Sequence, residues 1–147
     1  MPKHEPYKYL EHTADVEFVA FGKDAQECFT NALLATFNTI SYTKKIESSK
    51  EKKITFIVND KAKSLGDLLW YALQDAVSIA DSKSLFAYKV LHMKIIENKG
   101  TYKINAKIAA KAREEKASKL DVKGVSRYNL KVKNTREGTE ATVVLDV

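Results

Sequence analysis

The chain has 147 residues, with 25 lysines and arginines against 19 aspartates and glutamates, a net charge of +6 and 44% hydrophobic residues. This balance excludes a disordered chain and predicts one globular domain over residues 1–147. The positive charge is compatible with RNA or an acidic partner. The single cysteine, Cys28, excludes an internal disulfide. No apolar run is long enough to span a bilayer, and the N-terminus lacks the apolar core of a signal peptide, so we expect a cytoplasmic protein with no membrane partner.

Near the start of the chain, apolar and polar residues alternate in YKYL and ADVEFVAF. The pattern predicts a first strand, with EHTAD where the two runs meet. A helix follows, with Asp24 as its N-cap and Glu27 three residues further on. Cys28 lies on the apolar stripe of this helix, where a small core residue is expected rather than a nucleophile. After a lysine-rich segment, the pattern predicts a strand around Ile54–Val58.

A second helix is predicted in SLGDLLWYALQDAVSIADS, with Ser64 as its N-cap and Asp67 completing the capping box. Its apolar stripe repeats every three to four residues. Trp70 and Tyr71 fall off this stripe. Two interpretations stay open for them, since they either cover a sheet or lie exposed for a partner.

The second half of the chain reads as two hairpins. ENKG, with Gly100, joins LFAYKVLHMKII to TYKINAKIAAKA, and NTREG, with Gly138, joins VKGVSRYNLKVK to TEATVVLDV. Gly124 inside its strand indicates a bulge or a close backbone approach. The order β-α-β-α-β-β-β-β predicts a single-domain α+β fold, a mostly antiparallel or mixed sheet with two amphipathic helices packed on one side.

The stretch Lys99–Lys119 has seven basic residues against two glutamates. Lys103, Lys107 and Lys111 point the same way along a strand and form a positive stripe. The stripe is either a solvated sheet face or an electrostatic contact with RNA, and few aromatic residues accompany it. His92 alternates within its strand and reads as a sheet-face residue.

The last strand, ATVVLDV, is apolar almost to its end and should therefore be buried in the sheet. Asp146 at its end needs a lysine, N–H donors or a cation as partner. Asp15 supplies a second carboxylate if the first and last strands are neighbours. From these residues alone, a turn-forming Asp15 and a surface Asp146 are favoured over a cation site.

The opening YLEHTADVEFVAFGKDAQECFTNALLATF resembles that of the archease family, whose hallmark is an LEHTAD stretch. GDLLWYALQDAVSIAD resembles the family's second helix, and VKGVSRYNLKVK with ATVVLDV resembles its closing hairpin. The resemblance implies a small α+β protein without catalytic residues. It also implies a partner, the GTP-dependent RNA ligase of tRNA splicing, whose guanylylation and multiple turnover the protein would promote.

The same resemblance implies a divalent cation as cofactor, with calcium expected. Asp15, Asp146 and an oxygen of Val147 map onto the ligand positions, which reverses the preference stated above. His12 and Thr13 would support the loop, and Lys123 is a candidate contact to the ligase or its nucleotide.

The chain departs from the family pattern in several places: Glu17 stands where a glycine is frequent, Ser126 stands for a threonine, and Tyr128 replaces a histidine. The family's G-E-x-x-D stretch is not recognisable in AAKAREEKASKL. The alternatives are a basic RNA-binding module and a chaperone-like modulator of an RNA-modifying enzyme. A hydrolase using Asp15 and His12 as acid and base is a further rival. It needs a nucleophile or a substrate cleft, and the sequence shows neither clearly.

Overall fold

The computed structural model describes residues 5–10 and 15–147, and its elements confirm the α+β class. The predicted His12 and Thr13 lie outside the described residues. The strands are β1 (Tyr7–Leu10), β2 (Val16–Gly22), β3 (Ile54–Ala62), β4 (Leu85–Asn98), β5 (Thr101–Ala112), β6 (Gly124–Val125), β7 (Lys131–Thr135) and β8 (Gly138–Asp146). The helices are α1 (Ala25–Ile40), α2 (Thr43–Ser48) and α3 (Leu65–Ser82), with a single 3-10 turn at Glu115–Ala117. The two predicted helices are α1 and α3, and the short α2 is additional.

The strands form two antiparallel sheets. In the first, β1, β2 and β8 lie side by side, and both β6 and β7 pair with the other edge of β8. The second has the order β3-β5-β4. Helices α1 and α3 contact strands of both sheets, so the main core lies around these helices. The alternation of residues predicts which face of a strand is buried, but it does not identify the sheet that the strand joins.

The two N-terminal runs are separate strands rather than one. β1 pairs antiparallel with β2, with Tyr7 opposite Ala20 and Leu10 opposite Glu17. The chain therefore reverses direction between Leu10 and Val16. The Tyr9 hydroxyl donates a hydrogen bond of 2.9 Å to the Ala35 carbonyl, which ties β1 to α1.

The predicted helix starts are confirmed. Asp24 Oδ1 accepts from the Glu27 N–H at 2.9 Å, and Ser64 Oγ accepts from the Asp67 N–H at 3.1 Å. Cys28 is fully buried, and burial raises the pKa of its thiol to about 12, so it is a core residue as expected. No helix in the described part of the chain combines the length and apolarity needed to cross a membrane.

Both predicted hairpins form, but one of their arms is interrupted. Lys99 and Gly100 make a two-residue turn with positive φ values of 52° and 80°. VKGVSRYNLKVK is not one strand, because residues 126–130 separate β6 from β7. Asn129, at a φ of 63°, accounts for the break, since a left-handed residue does not continue a strand. At Gly124 a Cβ would lie 3.3 Å from Gln74 Oε1, so the glycine marks a close approach of a side chain.

Candidate metal centre at the end of strand β8

Strand β8 is the central strand of the five-stranded sheet. It pairs with β2 along one edge and with β6 and β7 along the other. Ala141, Val143 and Leu145 are at most 1% exposed, and the prediction of a buried last strand is confirmed. Asp146 is exposed, so the strand leaves the core between Leu145 and Asp146.

The register between β2 and β8 brings the two predicted carboxylates to the same place. Val16 lies opposite Leu145 at the end of the pairing, and Asp15 and Asp146 are the next residues along the two chains. The condition stated from sequence, that the first and last predicted strands be neighbours, is met by β2 and β8.

Lys123 flanks Asp146 from the other edge of β8. Its backbone N–H donates to the Asp146 carbonyl at 2.8 Å, and the next residue, Gly124, pairs with Asp146. The exposed Lys123 side chain thus starts directly beside the candidate site. This places the third predicted residue at the same end of the sheet as Asp15 and Asp146.

Two side chains of α3 hold the short strand β6 in position. Trp70 Nε1 donates to the Val125 carbonyl at 2.7 Å, and Gln74 Oε1 accepts from the Val125 N–H at 3.0 Å. Trp70 therefore covers the sheet, which is one of the two interpretations offered from sequence. Tyr71, in contrast, is 37% exposed. The sequence analysis did not predict that Trp70 and Gln74 support β6. The position of Trp70 outside the apolar stripe was a signal, because the indole N–H of a partly buried tryptophan usually has a hydrogen-bond partner.

The donors at this end of β8 are oxygen atoms. The carboxylates of Asp15 and Asp146 and the main chain of the half-buried Val147 suit a hard cation such as Ca²⁺ or Mg²⁺. Across the described ranges, no three His, Cys, Asp or Glu side chains gather closely enough to hold a metal ion. Two carboxylates would therefore need main-chain oxygens or water to complete a coordination shell, and the site stays a prediction.

An open cleft of about 470 Å³ lies beside Asp15. Its walls come from β1, the end of α1 and the segment after the 3-10 turn, through Tyr9, Thr39 and Lys119. The Lys119 ammonium donates to the Asn38 carbonyl at 2.7 Å, which fixes that segment against α1. A partner that reaches the candidate site therefore meets a partly apolar, ordered surface.

The positive stripe predicted along β5 is shorter than expected. Lys103 and Lys107 are exposed, but Lys111 is only 7% exposed, and its inclusion in an open stripe is wrong. Its ammonium donates to the carbonyls of Glu47 and Ser49, at 2.9 Å each, at the end of α2. The physical reason is the short α2, whose last carbonyls lack helical partners and attract a cation.

Sequence comparison relates nearly the whole chain to one family. The sequence profile of the Archease protein family (MTH1598/TM1083) matches residues 7–147. The "Protein archease" of Methanosarcina mazei is 32% identical over 143 residues, which are 96% of this chain and 95% of that protein. The "Protein archease" of Archaeoglobus fulgidus is 26% identical over 141 residues, 96% of this chain and 98% of that protein.

Solved structures agree with the sequence relatives. The solution structure of Methanobacterium thermoautotrophicum protein 1598 has a TM-score of 0.80 and 26% identity, and covers 97% of this chain and 99% of that one. The crystal structure of a Thermotoga maritima archease, described as a possible chaperone, has the same fold at a TM-score of 0.55 and 17% identity, with 99% and 100% coverage. By its family profile and its relatives, this chain belongs to the archease family.

Proposed function

We propose that this archease is a non-catalytic accessory protein that activates the GTP-dependent RNA ligase of tRNA splicing by promoting the ligase's guanylylation and multiple turnover. The observation that supports the proposal is the pairing of β2 with β8, which ends next to Asp15 and Asp146 at the end of a buried strand. Two acids on a rigid support are suited to act on a partner protein. The ligase as that partner is what the resemblance to the archease family implies.

The proposed cofactor is a divalent cation, with calcium expected, and Asp15, Asp146 and an oxygen of Val147 as its ligands. The donor chemistry fits, because these residues offer only oxygen atoms. Two carboxylates close to each other repel, and a cation between them would offset that repulsion. When bound, the ion supplies a concentrated positive charge that orients carboxylates or phosphates of the partner.

The chain's own residues would position this site and present it. β8 is held along both edges, and α3 fixes β6 through Trp70 and Gln74. Lys123, whose backbone N–H donates to the Asp146 carbonyl, carries an exposed side chain that is suited to a contact with the ligase or its nucleotide. His12 and Thr13 are proposed to shape the loop between β1 and β2. Because activation requires release of the ligase for further turnover, a modest interface is expected.

The test is a ligation assay with the ligase limiting, in which turnover and ligase guanylylation are followed with wild type, Asp15→Asn and Asp146→Asn. These substitutions keep side-chain size and remove the charge. Glu51→Gln, an exposed acid in another loop, is the matched control. We expect wild type and Glu51→Gln to raise turnover, and the two Asn variants to lose the gain.

A calcium titration followed by thermal unfolding tests the cation separately from activation. At a calcium concentration about 100 times the dissociation constant, wild type should gain about 2.7 kcal/mol of stability. Asp15→Asn and Asp146→Asn should gain much less. If wild type does not increase turnover, ligase activation is wrong. If the Asn variants respond to calcium like wild type, the cation site is wrong while activation stands.

The alternative of a chaperone-like modulator predicts a different result. Such a protein would protect a partner enzyme from aggregation and would act equally well without the Asp15 and Asp146 carboxylates. Light scattering of the heated ligase, with and without each variant, distinguishes this role from activation through the end of β8.

A further inference from the structure

One face of the β3-β5-β4 sheet is open to solvent and carries a cluster of lysines. The opposite face packs on α3, through buried residues such as Val58, Ile104 and Ala106. On the open face, Lys61 lies opposite Lys103, and Asn59 lies opposite Asn105, which in turn lies opposite Lys94. Lys107 follows in the next row. We call this surface the lysine face, defined by Lys61, Lys94, Lys103 and Lys107 with Asn59 and Asn105.

In the described ranges none of the four lysines of the lysine face forms an ion pair. The two acids of these strands, Asp60 and Glu97, lie at register positions of the opposite face. By contrast, Lys89 in the next row is 3.9 Å from Glu47, and Lys111 is buried under α2. The unbalanced charge is thus confined to the part of the sheet that α2 leaves open. Ammonium groups held together in this way attract a polyanion.

The spacing and chemistry of the lysine face favour RNA over an acidic protein. Residues on one face repeat about every 7 Å along a strand. Neighbouring phosphates of an extended nucleic acid strand are separated by a comparable distance. The row of Asn59 and Asn105 lies between the rows of Lys103 and Lys107 and offers both donors and acceptors, which suit ribose hydroxyls and base edges.

A recess of about 470 Å³ at the β3 edge adds an aromatic ring to this surface. Lys61, Lys103 and the exposed Tyr71 line it, together with Asn59 and Asp60. The sequence showed few aromatics along the lysine stripe, because Tyr71 comes from α3 and meets the sheet only in the fold. Its ring provides a stacking platform for a base.

We propose that the lysine face binds single-stranded RNA, with phosphates on the four lysines and a base on Tyr71. The candidate metal centre belongs to the other sheet, so RNA binding here does not depend on the ligase or on the cation.

The test measures binding of a fluorescein-labelled oligouridylate of about 20 nucleotides, without ligase, by fluorescence anisotropy over a salt series. Four phosphate contacts predict about 50-fold weaker binding at about 200 mM salt than at about 50 mM. Lys103→Gln/Lys107→Gln leaves two contacts and should reduce this ratio to about 7-fold. Lys61→Gln/Lys94→Gln should have the same effect from the flanking strands.

The matched control is Lys23→Gln/Lys131→Gln, which removes the same charge from exposed positions outside the lysine face. It should keep a salt dependence close to that of wild type. Tyr71→Leu should weaken RNA binding about fivefold or more, because it removes the stacking ring.

Three results would overturn the proposal. The first is an unchanged salt ratio in both lysine pairs. The second is an equal decrease of the salt ratio in the control pair, which would show that RNA binds through the overall positive charge and not at the lysine face. The third is equally tight binding of an oligoglutamate peptide of the same charge, which would assign the face to acidic proteins. Because the ligase is absent, none of these results bears on ligase activation.

Discussion

Replacement of Asp60 by Asn is expected to stabilise the protein above pH 7 and to have little effect below pH 4. Asp60 Oδ2 is buried and has no hydrogen-bond partner among the described residues. Burial, and next the neighbouring Asp75 carboxyl, raises the pKa of Asp60 to about 7. Two ionised carboxylates are both acceptors, so Asp60 and Asp75 can form a hydrogen bond only when one of them holds a proton.

The sign and size of the effect follow from this raised pKa. The pKa of Asp60 is higher in the folded protein than in the unfolded chain. The protonated Asp60 carboxyl therefore makes its full contribution to stability below about pH 4, and this contribution is lost as the pH rises through about 7. The difference between 3.8 and about 7 corresponds to about 4 kcal/mol at most. Asp60 is only half-buried, and screening by water reduces the expected loss to about 1–2 kcal/mol. Asn does not ionise, so it retains this stability at high pH.

Thermal unfolding followed by circular dichroism, in buffers from about pH 4 to about pH 8, measures the difference. For a chain of this size, about 1–2 kcal/mol corresponds to a melting temperature about 2–8 °C higher for Asp60→Asn at pH 8. Asp121→Asn, an exposed acid, is the control for loss of one negative charge. A stability gain of Asp60→Asn that does not grow with pH, or the same gain in Asp121→Asn, would contradict the raised pKa of Asp60.

Two further substitutions test contacts that the fold adds to the sequence patterns. Trp70→Phe removes the hydrogen bond to the Val125 carbonyl and should lower the free energy of unfolding by about 1–2 kcal/mol. Hydrogen exchange at the Val125 N–H should also become faster. Tyr71→Phe, the control, should leave the stability and the exchange rate unchanged. Lys111→Met keeps the length of the side chain but leaves two carbonyls at the end of α2 without their donor. It should lower stability by about 1–2 kcal/mol in urea unfolding, and equal losses in Lys111→Met and the exposed Lys107→Met would contradict the assigned contact.

The features that could be predicted from sequence are those fixed by nearby residues. Asp24 and Ser64 start their helices because the bonds involved span three residues. Lys99 and Gly100 turn the chain within two residues. Burial of Cys28 follows from the period of α1 alone. Each of these needs no knowledge of which distant strands are neighbours.

The features that could not be predicted depend on pairings between distant parts of the chain. The burial of Lys111 depends on α2, a helix of six residues with too few turns to show an apolar period. The division into two sheets depends on which strand pairs with each edge of a neighbouring strand. At the candidate site, Asp15 and Asp146 could be named from the family resemblance, but their nearness depended on the pairing of β2 with β8.

The division into two sheets also separates the two proposed activities. The end of β8 presents Asp15, Asp146 and Lys123 from the five-stranded sheet, whereas the lysine face lies on the three-stranded sheet. α3 connects them, because Trp70 holds β6 beside the candidate site and the adjacent Tyr71 lines the recess at the β3 edge. The two rings also touch edge to face, with centroids 5.5 Å apart. If both proposals hold, a ligase and a strand of RNA would bind to different sheets, and neither would occupy the surface proposed for the other.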